Sequence, residues 1–227
     1  MFFFFDKTMM LLIPAVLLAW YAQMKVRSTY RKYSQVPSQR GWSGAQAAQR
    51  VLEAAGLSGV TIEETPGRLS DHYDPRSRKL RLSRNVYEGR SLAALGVAAH
   101  EASHAIQHAS GYIPLNIRSM VVPVARFGTN GAWILFLLGF LARRPSLMGI
   151  AILLFSFGVF FYLVTLPVEF NASSRAIKVL VREGIIERSE IAGTKKVLSA
   201  AALTYVAAAL MAVLQLIRLI LLRNSRN

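Results

Sequence analysis

The chain has 227 residues and no cysteine, so disulfides, thiolate metal sites and thiol nucleophiles are excluded. Its 27 Lys+Arg against 12 Asp+Glu give a formal net charge of +15, which raises nucleic acid as a partner, yet no RNP signature or zinc finger accompanies it. Long apolar runs alternate with basic segments, the pattern of a membrane protein whose cations orient the chain and meet anionic lipid headgroups, so the lipid bilayer is the expected partner and nucleic acid is not.

From Phe2 to Met24 the sequence is apolar apart from Asp6 and Lys7, and the basic residues Lys25, Arg27, Arg31 and Lys32 come afterwards. A cleaved signal peptide has the reverse order, so residues 2–24 read as an uncleaved anchor with its N-terminus outside. Residues 33–97 are polar and broken by turns, within a module expected over 25–118. SGAQAAQRVLEAAG (43–56) has helical spacing, with Ser43 as N-cap and Gly56 as stop. GVTIEE and RKLRLS alternate as strands do, on either side of the turn-rich TPGRLSDHYDPRS. SLAALGVAAHEASHAIQHASG (91–111) follows as a helix capped by Ser91 and ended by Gly111. Together these make a small α+β module.

A transmembrane hairpin is expected over 119–168, with segments at about 119–142 and 147–168 joined by RRPS. The first is interrupted by Arg126 and Asn130, so that part packs against protein or Arg126 snorkels. Residues 169–196 read as a helix beginning at Glu169, and 197–222 as a last span with tilt. The count is about four spans, or three if the interrupted one fails. Lys and Arg are in excess on the face carrying 25–118 and 169–196, which the positive-inside rule assigns to the cytoplasm.

Three of the four histidines lie in AAHEASHAIQHA (98–109). Residues i and i+4 share a helix face, so His100 and His104 can each bring a ring nitrogen to ~2.0–2.1 Å from one zinc ion. Glu101 then sits where its carboxylate reaches a metal-bound water, the H-E-x-x-H arrangement. The plainer reading is three half-buried histidines on an amphipathic helix, but this spacing rarely arises by chance in so histidine-poor a chain. His108 is ~12 Å along the helix from His100, too far for the same ion, and reads as structural. The third ligand has two candidates, His72 and a downstream carboxylate, of which Glu169 in PVEFNASSRA is the most suggestive. For Glu169 the plainer reading is a carboxylate at a helix N-terminus, where the macrodipole favours it.

AAHEASHAIQHASGYIPLNIRS, LPVEFNASSRA, DHYDPRSRKLRLS and KKVLSAAALTYVAAAL together resemble the bacterial membrane zinc metallopeptidases of the YugP type, over roughly residues 25–222. More distantly the layout is similar to gluzincin membrane proteases of the HtpX and CAAX prenyl protease kind. The resemblance implies that His100, His104 and Glu169 bind one Zn2+ per chain and that Glu101 is the catalytic base. Ser173 stands where the distant relatives carry an Asp that supports a histidine, so a neutral hydroxyl replaces a charged partner.

The sequence therefore predicts a mainly α-helical integral membrane protein with about four transmembrane helices and a small α+β zincin-like module. It would be a multi-pass protease of the cell membrane, cutting protein or peptide substrates, membrane proteins among them, with a zinc-activated water and Glu101 as base. His72, Tyr73, Tyr112 and Tyr205 are the candidates to stabilise the oxyanion, and RKLRLS could pair with an extended substrate. Only about ten apolar residues separate Arg90 from Glu101, so the site is expected at the cytoplasmic membrane surface rather than within the bilayer. The competing reading is a non-catalytic membrane scaffold that keeps a structural zinc site.

Overall fold

The computed structural model describes residues 7–67 and 70–225, without the side chains of 126–130. The readings of Phe2–Asp6 as anchor and of Arg126 and Asn130 as packed or snorkelling lie outside the described residues. A 3-10 turn over Lys7–Leu12 leads into α1 (Ile13–Ser34), followed by α2 (Gly44–Glu53), β1 (Thr61–Thr65), β2 (His72–Asp74) and β3 (Lys79–Ser83). Then come α3 (Arg84–Tyr87), α4 (Leu92–Ala109), α5 (Ile113–Leu141), α6 (Pro145–Arg182) and α7 (Ile191–Asn224). The chain divides into two compact units, one of residues 1–22, 114–167 and 204–227, the other of residues 23–113 and 168–203.

The first unit is helical. Phe136 on α5, Met148 and Ala151 on α6, and Leu219 on α7 form its core, each almost fully buried. At the α5–α6 turn a Cβ on Gly139 would lie 2.9 Å from the Met148 nitrogen, so only glycine lets the two helices approach this closely. Arg218, buried on α7, donates from Nε to the Thr8 hydroxyl at 3.2 Å. Among the described residues, three stretches have the length and apolarity to cross a membrane: Lys7–Ser34, Pro145–Arg182 and Arg188–Asn224. In α5 two shorter apolar stretches, Ile113–Ala125 and Gly131–Leu141, flank the residues whose side chains are not described.

The second unit is α+β. Ser43 caps α2 as expected: its hydroxyl accepts from Gln46 N at 3.2 Å, while the Gln46 side chain accepts from Ser43 N at 2.9 Å. Ser91 likewise accepts from Ala94 N at 3.2 Å and starts α4. The sheet order is β1-β3-β2, with β1 parallel and β2 antiparallel to β3. Leu80 and Leu82 point to one face of β3 and are fully buried, each worth about 1.5–3 kcal/mol. They meet Ala47, Val51 and Leu52 of α2 and the alanine-rich face of α4 in one core.

Three expectations change. The turn-rich segment holds a short strand, β2, formed by pairing with β3 rather than by any alternation of its own. RKLRLS is no free edge: β3 lies between β1 and β2, so both its hydrogen-bonding sides are used and the sheet's edges are β1 and β2. Glu169 does not begin a helix but lies well inside α6, with Pro167 also in the helix interior. The helix is continuous through the proline, and Val168, Ala172, Ala176 and Leu180, spaced by four and all fully buried, form a stripe that begins just past it. Packing along that stripe offsets the ~3 kcal/mol that an interior proline costs a helix.

Candidate active site

The candidate site residues come from two helices of the second unit. α4 contributes His100, Glu101 and His104, and the C-terminal part of α6 contributes Glu169. The Nε2 atom of His100 lies 3.3 Å from Glu169 Oε2, and that of His104 lies 3.8 Å from the same oxygen. One ligand atom from each of the three residues lies within 4.8 Å of the others. Two imidazoles and one carboxylate are the donor set of a catalytic zinc site, which leaves a position for water. The imidazole rings meet edge-on, with centroids 4.8 Å apart. Glu169 is 2% exposed, so its carboxylate needs partners on the spot.

Each histidine is held by its other nitrogen. Ser173 Oγ lies 3.2 Å from His100 Nδ1, and Gln107 Oε1 lies 2.9 Å from His104 Nδ1. In the tautomer that leaves Nε2 free to ligate, both oxygens accept an Nδ1–H. Gln107 is fully buried. Its amide nitrogen donates to the Val168 carbonyl at 2.8 Å and to Asn171 Oδ1 at 3.0 Å, and Arg175 Nε donates to the same Asn171 oxygen at 2.7 Å. A polar chain therefore runs from His104 on α4 to three residues of α6. The sequence reading missed Gln107, Asn171 and Arg175. Their signal was a glutamine three residues beyond His104 on an otherwise apolar face, and an Asn–Arg pair one turn apart after Glu169.

Glu101 is partly buried and its acid strength is altered. Burial pushes its carboxyl up to about 7; His100 pulls it down, Glu169 and Asp71 push it up, and the Tyr73 backbone N–H, which donates to it, pulls it down. That value lies where a general base near neutral pH works well.

The other expected residues do not join the trio. His72 Nδ1 is 2.7 Å from the Ser70 carbonyl and Nε2 is 3.4 Å from Arg81. His108 is exposed, with Nδ1 3.1 Å from the Tyr73 hydroxyl. Among the described residues, the only such group of possible metal donors is His100, His104 and Glu169. Tyr112 follows α4, and Tyr205 lies on α7.

Residues 8–224 match the family model described as "Putative neutral zinc metallopeptidase". The chain belongs to this family. The neutral zinc metallopeptidase match is accompanied by a relative from Bacillus subtilis (strain 168), "Putative membrane protease YugP", 50% identical over 212 residues and covering 93% of this chain and 94% of that protein. No solved structure matches. The family carries zinc and peptidase activity as its description, and the chain offers a His–His–Glu group, its carboxylate buried, able to hold a metal ion.

Proposed function

We propose that this protein is a multi-pass membrane zinc protease that hydrolyses peptide bonds of protein substrates at the cytoplasmic surface of the cell membrane. The observation that carries the reading is the convergence of His100, His104 and Glu169, with donor atoms within 4.8 Å and each imidazole braced by a partner on its far nitrogen. His100 Nε2, His104 Nε2 and a Glu169 oxygen would hold the zinc. When bound, the ion supplies a Lewis acid that acidifies water and polarises the scissile carbonyl. Glu101 takes the proton of the attacking water on its carboxylate and returns it to the leaving amine nitrogen. The Tyr73 N–H orients that carboxylate. Ser173 and Gln107 fix the imidazoles so that Nε2, not Nδ1, faces the centre. The cytoplasmic placement rests on the basic residues of 25–118 and 169–196.

Chelation tests the whole reading. Protein purified in detergent should cleave an unstructured peptide, stop when treated with a zinc chelator, and recover when zinc alone is restored. Cleavage that persists in metal-free protein would remove the zinc from the mechanism.

The Gln107 chain makes a separate prediction. Gln107→Leu removes the acceptor for His104 Nδ1–H and the donor to Val168 O, leaving buried groups unpaired at about 1–3 kcal/mol. Zinc affinity, measured by competition with a chromophoric chelator, should fall about 10–100-fold. Unchanged affinity would mean that His104 is oriented by packing alone.

A further inference from the structure

One turn beyond Glu101, α4 borders a pocket of about 480 Å³, within the range of small-ligand sites. Leu57, Val60 and Ala105 supply its apolar wall, and Tyr73, Arg78 and His108 its polar one. No carboxylate lines it. Asp74, at the end of β2, has its carboxylate already engaged: Ser77 Oγ donates to it at 2.6 Å, Arg76 N at 3.0 Å and Arg81 at 3.4 Å. Those hydrogen bonds hold its carboxyl at about 2, led by the Ser77 hydroxyl.

Arg78 makes no ion pair among the described residues, although its neighbours Lys79 and Arg81 do. It carries φ +52 in the β2–β3 turn, a left-handed conformation that costs a non-glycine residue energy. Burial pushes the Tyr73 phenol upward while the Arg78 charge pulls it down, so the guanidinium's field reaches the pocket's hydroxyl. Tyr73 also joins the pocket to the chemistry: its N–H donates to Glu101, and its hydroxyl lies 3.1 Å from His108 Nδ1.

We propose that this pocket receives one side chain of the peptide substrate, selecting an apolar stem with an acidic or amide head that Arg78 recognises. The proposal rests on the peptidase reading and adds a specificity residue to it. A basic side chain meets an unpaired guanidinium there and is rejected.

The test uses the full chain in detergent and fluorogenic peptides that differ only by Glu, Gln, Leu or Lys, scanned across the positions around the cleaved bond. At one position, wild type should prefer Glu over Lys by about tenfold or more in kcat/KM. Arg78→Gly suits the φ +52 backbone and removes the guanidinium together with its aliphatic stem. It should erase the advantage of Glu over Leu, while Arg78→Glu should turn the preference toward Lys. The same Glu-to-Lys ratio in all three proteins overturns the proposal.

Binding separates this inference from the peptidase reading. Labelled peptides are titrated by fluorescence anisotropy against the full chain carrying Glu101→Gln. If wild type cuts no peptide but Glu binds better than Lys to the Glu101→Gln chain and adding Arg78→Gly abolishes the difference, the pocket stands and the peptidase reading falls. If peptides are cut with no charge preference at any position, the pocket falls and the peptidase reading stands.

Discussion

Glu169→Ala should leave the purified protein nearly free of zinc, where wild type holds close to one ion per chain. The carboxylate lies between both histidines, 3.3 Å and 3.8 Å from their Nε2 atoms, and is the only negative charge in the donor set. Removing it deletes one of three protein ligands and the charge that offsets a dication in a buried place. The loss of affinity should therefore exceed the roughly 10–100-fold that follows removal of a ligand's hydrogen-bond partner. Metal analysis of wild type beside Glu169→Ala, His104→Ala and His72→Ala decides the matter. Full zinc in Glu169→Ala would strike Glu169 from the ligand set. Zinc lost in His72→Ala would point to a rearranged site.

Glu101→Gln should do the reverse, keeping the metal and losing the reaction. The amide has the same shape, and its oxygen can still accept the Tyr73 N–H, but it cannot take a proton from water. General-base catalysis is worth about 10²–10⁴-fold, so peptide cleavage should fall by at least that order while zinc content and thermal stability stay near wild type. Activity that survives would remove Glu101 from proton transfer. Zinc lost with activity would make it a residue that holds the site together, as the scaffold reading requires.

Much of this site could be read from the sequence because it is local. His100, Glu101 and His104 sit on one continuous helix, and helical spacing alone sets their directions. The caps Ser43 and Ser91 were legible for the same reason, since each bonds a backbone N–H three residues on. Glu169 was a candidate from chemistry and became the expected third ligand only through family resemblance, because its approach to α4 depends on how two distant helices pack. Pro167 misled the reading of α6: proline before a carboxylate looks like a helix start, and only the buried stripe Val168–Ala172–Ala176–Leu180 reveals that the helix runs on. β2 was invisible because three residues carry no period of their own. The central position of β3 could not be read from its pattern either, since strand order is a property of the sheet and not of any strand.

The inward face of α4 is built from Ala93, Ala94, Ala98, Ala99, Ala102 and Ala105, each at most 1% exposed. Alanine has no side-chain torsion, so none of these six side chains can rotate aside when a neighbour changes. A larger residue must displace the helix backbone itself, and the histidines ride on that backbone. Heritable change is therefore channelled: the interior of α4 can drift very little before the donor atoms separate. The neighbouring pocket's wall at Arg78, in the β2–β3 turn and outside the hydrophobic core, can vary without moving α4. A lineage could retune what this protein cuts while leaving how it cuts untouched.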